Sequence, residues 1–138
     1  REPVNNIVLE SKNFVAYCPD YSEWPYEIWL TPNSNSKFQI PNSNFGSITD
    51  EQIEDLAGVL QKILKAVVSK FKNKDDIPYN FYIYHGENWY LRIIPRFIHR
   101  AGFELGTGIL VNIVDPKTAA EEYKEGISQN QSTNDQHQ

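Results

Sequence analysis

The stretch that decides the fold is residues 79–96, YNFYIYHGENWYLRIIPR. Its alternation has the strand period of two: Phe81, Ile83 and His85 point one way, and Tyr82 and Tyr84 the other. Beyond His85-Gly86-Glu87 the same period runs through Trp89, Leu91 and Ile93 against Tyr90, Arg92 and Ile94. The pattern predicts two aromatic-rich strands around a short turn, the second closed by Pro95, which cannot donate to a ladder. A functional site is expected on or beside this pair.

Upstream lies a long amphipathic segment whose start carries several agreeing signals. Thr49 is a good N-cap with Gln52 three residues on, and Ile48 and Ile53 are placed for a hydrophobic staple. Ile53, Leu56, Leu60, Ile63, Leu64, Val67 and Phe71 then recur at helical spacing, while Glu54, Gln61, Lys62 and Lys65 take the other side. One helix packed across the sheet is the expectation. Nearer the N-terminus, residues 7–17 read as strand material broken by a turn at Ser11-Lys12-Asn13. A further strand is expected over residues 26–30, starting after Pro25 and stopped by Thr31-Pro32. Residues 33–47 are rich in Asn, Ser, Gly and Pro and read as a loop.

Downstream, Gly102, Gly106 and Gly108 precede an apolar run over residues 109–114 that reads as a strand. Asp115-Pro116 has N-cap and first-turn chemistry for a short helix. From residue 126 the Gln, Asn and Ser content predicts a disordered polar tail, so the expected organisation is one domain over residues 1–125 and a tail over 126–138.

Composition bounds what such a domain does. In 138 residues, 40% apolar and 13% aromatic content is enough for one core. The formal net charge of -5 and the lack of a clustered Lys/Arg face argue against nucleic acid as a partner. No apolar run approaches the roughly 20 residues that span a bilayer, so no membrane partner is expected. Cys18 is the only cysteine, which excludes a disulfide framework and fits a cytoplasmic setting. No methionine occurs, and the expectation is a piece of a longer protein.

The chemistry-bearing residues are few. The glycines precede a predicted strand, whereas phosphate-binding loops open a helix, so they read as backbone devices. His85, His99 and His137 are too far apart for a local metal motif. His85 reads first as a hydrogen-bonded structural group and next as a ligand-facing or metal-facing one. Arg92, Arg96 and Arg100 offer charge-assisted contacts to an anion, and Glu104, between glycines, is either an acceptor for a substrate hydroxyl or an exposed carboxylate. The series Tyr17, Tyr21, Trp24, Tyr26 and Trp29 reads as packing rather than a base-stacking platform.

Taken in order, FVAYCPDYSEWPYEIWLTP, a capped helix, PYNFYIYHGENWYLRIIPR, AGFELGTGILVN and DPKTAAEEYKE resemble the second domain of galactose-1-phosphate uridylyltransferases, in the histidine-triad superfamily. The resemblance covers nearly all of residues 7–125. It implies an α+β fold: an antiparallel sheet with one long helix packed on it and a short C-terminal helix. In that family the nucleophilic histidine lies in the first half, within His-Pro-His, which this sequence lacks. Where a triad strand carries histidines, the alternate positions here are Asn88, Tyr90 and Arg92. The resemblance therefore implies a domain without catalytic residues that supports a dimer and binds a sugar phosphate or nucleotide. The contacts it implies are Glu104 and Asn112, with Asn88, Tyr90 and Arg92 lining the old pocket and His85, Arg96 and Arg100 facing a ligand. Glu10 and His85 match two ligands of a structural zinc or iron site whose other histidines are missing, so no cofactor is expected and any metal site is a relic. The alternative is a stand-alone nucleotide-binding, phosphate-binding or protein-interaction module on the same fold. Transfer by this chain through His85 is a weaker third reading.

Overall fold

The computed structural model describes residues 4–33, 44–70, 78–96, 106–109 and 112–135. The turn chemistry at Ser11 and Asn13 separates β1 (Ile7–Glu10) from β2 (Phe14–Tyr17), as expected. It also anchors the long helix, because Ser11 Oγ, Asn13 N and Asn13 Nδ2 all donate to Asp55 Oδ2, at 2.8, 2.9 and 3.0 Å. That helix, α1 (Asp50–Lys70), opens on the predicted capping box: Thr49 N donates to Gln52 Oε1 at 2.8 Å, and Gln52 N to Thr49 Oγ1 at 3.3 Å.

With β3 (Ile28–Pro32), β4 (Tyr79–Tyr84) and β5 (Tyr90–Pro95), the strands form one antiparallel sheet in the order β1-β2-β3-β5-β4. The two aromatic strands are therefore a hairpin at one edge, with the turn at His85-Gly86-Glu87 as read from the sequence. Alternation splits the sheet. Phe14, Ala16, Ile28, Leu30, Leu91 and Ile93 point to the helices and are fully or almost fully buried. Trp29, Tyr90 and Arg92 point to the other side, where Trp29 lies opposite Tyr17 and Arg92 opposite both Trp29 and Tyr82. Each large apolar side chain buried on the helix side contributes about 1.5–3 kcal/mol before its lost entropy is subtracted.

Four expectations are corrected. The third strand starts at Ile28 and not at Tyr26, because Tyr26 has φ 60 and Glu27 N donates to Trp24 O at 3.2 Å, making residues 24–27 a turn. The stripe of α1 that faces the core is Leu56, Val59, Ile63, Ala66 and Val67; Ile53 is exposed, Leu60 and Leu64 are half-buried, and Phe71 lies outside the described residues. The cause is the C-terminal helix, α2 (Pro116–Asp135), which lies against Ala66 through Gly126, where even a Cβ would come within 3.2 Å of the Ala66 Cβ. Small residues at that crossing draw α2 in and turn the buried stripe toward it.

The same contact removes the predicted tail. α2 begins on its Asp115 cap, with Thr118 N donating to Asp115 Oδ2 at 3.1 Å, and continues through residue 126 to Asp135. Ile127 is buried and Asn130 accepts from Ser69 Oγ at 3.1 Å, so a polar composition is carried by a few contacts with α1. Lastly, residues 109 and 112–114 are not in a strand, and residues 110 and 111 lie outside the described residues. Ile109 and Ile113 are exposed, and Val114 N donates to the Asn112 side chain at 3.0 Å rather than to a neighbouring strand.

Candidate functional site

The side of the sheet away from the helices holds the polar chemistry, and its centre is a residue the sequence reading gave no role. Glu27 is 2% exposed. Pro25 and the left-handed Tyr26 bend the chain so that the Glu27 carboxylate turns back on the preceding residues. Glu23 N and Trp24 N donate to its Oε2 at 3.1 and 3.2 Å, Trp29 Nε1 donates to Oε1 at 2.7 Å, and Arg92 Nε forms an ion pair with Oε1. Positive φ at a tyrosine costs on the order of 1–3 kcal/mol and persists where its surroundings fix it. Here Tyr123 Oη donates to the Tyr26 carbonyl at 2.8 Å, and Lys70, paired with Glu122, sits 4.6 Å over the Tyr26 ring.

Arg92 is held from three directions. Besides Glu27 it bonds the Tyr82 hydroxyl, and its Nη2 lies 3.7 Å from Glu23 Oε2. Burial alone would lower its pKa, but the bonds from Glu27 and Tyr82 outweigh burial and raise it above the ordinary guanidinium value. The cation is permanent and already faces two carboxylates, those of Glu23 and Glu27. A free anion finds no unsatisfied cation there.

Beside it the aromatic rings form a stack. Trp29 and Tyr90 lie 4.0 Å apart and 10° from parallel, and Tyr84 covers Tyr90 at 5.3 Å and 14°. Tyr21 and Tyr17 close on Trp29 at 5.7 and 6.4 Å. Gly86 makes room for Tyr84, since a Cβ there would lie 2.5 Å from its ring. The Tyr90 phenol is held above its ordinary pKa, by burial first and then by neighbouring Tyr82, so it remains protonated near neutrality.

The other sequence candidates are dispersed. Asn88 is exposed in the turn before β5. His85 is exposed at the end of β4, its ring edge-on to Phe45 at 5.7 Å. Arg96 sits 4.9 Å over the Trp24 ring. Asn112 works as a clamp: its Nδ2 donates to Ser22 O at 3.0 Å and Trp24 O at 3.4 Å, tying its segment to the turn that carries Glu27. Glu104 and Arg100 lie outside the described residues, as do His99 and His137. Glu10 belongs to β1 and His85 follows β4, at opposite edges of the sheet. Four strand spacings separate them by about 19 Å, whereas two ligands of one zinc lie about 2 Å from it. The pair does not fit a shared metal, and among the described residues no group of three or more His, Cys, Asp and Glu is arranged to hold one.

Comparison with known proteins agrees on the architecture. ADP-glucose phosphorylase from Arabidopsis thaliana is 31% identical over 130 residues, covering 86% of this chain and 34% of that protein. The structure of that enzyme with bound ADP-glucose superposes with a TM-score of 0.74 at 30% identity, over 86% of this chain and 39% of the other. A galactose-1-phosphate-uridylyltransferase-like protein of the same plant gives 0.73 at 30% identity, over 86% and 40%. This chain is homologous to a part of each of these proteins. A zinc-bound histidine triad family protein from Mycobacterium smegmatis, at 17% identity and a TM-score of 0.65, covers 96% of this chain and 89% of that one, which identifies the fold as histidine-triad-like. No protein-family model matches the sequence. The chain spans about a third of the length of the curated ADP-glucose phosphorylase it matches. No helix among the described residues is long and apolar enough to cross a membrane.

Glu27 and Trp29 were legible in one respect. An acid two residues before a tryptophan on a β-strand shares its face, and an indole N–H is a donor such an acid can use. The bend at Tyr26 that completes the carboxylate's shell has no comparable sequence signal.

Proposed function

We propose that this chain is the C-terminal, catalytically silent domain of a uridylyltransferase-like protein. It supports a dimer and contributes to the binding of a sugar phosphate or nucleotide, while a histidine-bearing domain elsewhere carries out the transfer. The observation that carries this reading is the state of β5. The positions that the family resemblance assigns to histidines hold Tyr90, closed between Trp29 and Tyr84, and Arg92, paired with Glu27. Nucleophilic attack on an α-phosphate needs a basic, available lone pair; a guanidinium has none, and a phenol held protonated is a poor nucleophile without a base to take its proton. The binding contribution then rests on Glu104, on Arg96 and Arg100 as anion contacts in place of the already paired Arg92, and on the segment Asn112 clamps. A cytoplasmic setting accords with the single, buried thiol of Cys18.

The test is to incubate the 138-residue chain with ADP-glucose or UDP-glucose labelled in the α-phosphate. The expected result is no label retained on the protein after acid-free gel filtration under denaturing conditions, and no turnover. Stoichiometric label on the chain would overturn the reading.

A further inference from the structure

Arg96 and the segment around Asn112, two parts of the proposed binding surface, rest on one short turn. Arg96 lies 4.9 Å over the Trp24 ring, with no ion-pair partner among the described residues. Asn112 Nδ2 donates to Ser22 O at 3.0 Å and to Trp24 O at 3.4 Å, while its Oδ1 accepts from Val114 N at 3.0 Å. Of the described apolar residues in this segment only Val114 packs against the core; Ile109 and Ile113 are 55% and 69% exposed. The position of the segment therefore follows from the two carbonyls that Asn112 grips.

Both carbonyls lie outside the sheet ladder, which β3 enters only at Ile28, and both are oriented by Glu27. The Ser22 carbonyl and the Glu23 N–H belong to one planar peptide unit and point opposite ways. Glu27 Oε2 accepts from that N–H at 3.1 Å, so the carboxylate sets the direction in which Ser22 O meets Asn112. The Trp24 carbonyl accepts from Glu27 N at 3.2 Å. The carboxylate is fixed in turn from the sheet, by Trp29 Nε1 at 2.7 Å and by the ion pair with Arg92 on β5. We propose that Glu27, locked by Arg92, is a positioning residue of the anion site: it orients the Ser22–Glu23 peptide and, through it, the Asn112 segment, so that this segment and Arg96 are presented to a phosphate from one rigid turn. β5 then serves binding from behind, as a support that touches no ligand. A turn free to move would lose the pre-organisation on which recognition by few groups depends.

This inference rests on the binding role in the proposed function, and amide hydrogen exchange of the 138-residue chain tests it without a ligand. Replacing the buried pair as a unit, Glu27→Met with Arg92→Met, leaves no unpaired charge, so the fold is expected to persist. Exchange at Val114 is expected to rise at least about tenfold, while Leu30 and Leu91, paired in the middle of the sheet, are unchanged. A role in stability alone would leave Val114 as it was or speed all three amides together, and either pattern overturns the proposal. Asn112→Ala tests the coupling from the other end and alters no strand or helix. Because linkage is reciprocal, exchange at Glu23 should then rise about threefold to tenfold. An unchanged Glu23 also overturns the proposal. Calorimetric titration with inorganic pyrophosphate and with ADP-glucose reads the binding itself. The Met pair and Asn112→Ala should each weaken it about tenfold, and together by no more than either alone, since both act through one peptide. Additive losses overturn the relay. Coupled exchange in a chain that binds neither probe overturns instead the binding role in the proposed function, and label retained on the protein overturns only its catalytic silence.

Discussion

The two faces of the sheet are made from the same five strands and are held by different physics. On the helix side, Phe14, Leu30, Leu91 and Ile93 meet α1 and α2 through apolar area, which has no direction and tolerates repacking. On the other side Glu27, Trp29, Tyr82, Tyr90 and Arg92 are fixed by hydrogen bonds, charge and ring geometry, each of which has one good arrangement. An area-based face can drift in sequence and keep the fold. A directional face changes its chemistry with a single residue.

Isosteric substitutions sharpen the contrast most. Glu27→Gln keeps the volume but leaves Arg92 facing a neutral amide, and breaking a buried pair from one side costs about 3–5 kcal/mol. Ile93→Leu on the helix side also keeps volume, and its cost is expected below about 1.5 kcal/mol. Urea unfolding of the two variants under identical conditions checks both. Equal losses would break the distinction between the faces.

The helix side has a directional element of its own in alkaline solution. Burial, and then the charge of Glu27, push the Cys18 thiol up to about 12 from its ordinary 9.0. The unfolded chain therefore loses this proton first as the pH rises. Between about pH 9 and 12 the folded state binds more protons than the unfolded one, so stability falls by up to about 1.4 kcal/mol per pH unit. Burial pushes Tyr123 well above its ordinary range and adds a loss of the same sign above about pH 10. A Cys18→Ala variant should show a shallower decline in unfolding free energy from pH 9 to 10.5. Parallel profiles would mean that the thiol is not held as described.

Much of the fold is legible because it is written in local periodicity. The two aromatic strands follow from alternation over residues 81–94, and the start of α1 from Thr49 and Gln52, with no knowledge of what lies around them. What failed depended on partners distant in sequence. Which stripe of α1 is buried was set by Gly126 against Ala66, and whether residues 126–135 are ordered was set by Ile127 and Asn130 finding α1. The candidate site divides the same way. Tyr90 and Arg92 were placed on the correct face by counting residues, but Arg92 as an anion contact presumed a free cation, and Glu27 satisfies it from 65 positions away. Asn112 was read as a ligand contact, and its amide is engaged by carbonyls on the turn it steadies.

The smallest effect tests whether the aromatic side is as directional as its geometry implies. Adding a methyl group at Gly86 would bring it 2.5 Å from a Tyr84 ring carbon and 3.1 Å from the hydroxyl oxygen. Tyr84 is 53% exposed, so its ring can swing into solvent and the backbone need not strain. Gly86→Ala should then cost only the Tyr84–Tyr90 stacking, about 0.5–1.5 kcal/mol. The near-ultraviolet circular dichroism, which reports the mutual orientation of the rings, should change out of proportion to that loss. The comparable relief on the helix side does not exist, because there the ring or methyl group that would have to move is enclosed by α1 and α2. An unchanged near-ultraviolet spectrum with full stability would show that Tyr84 is not held against Tyr90, and would reduce the ordered part of that face to the Glu27–Arg92 pair and the Trp29–Tyr90 contact.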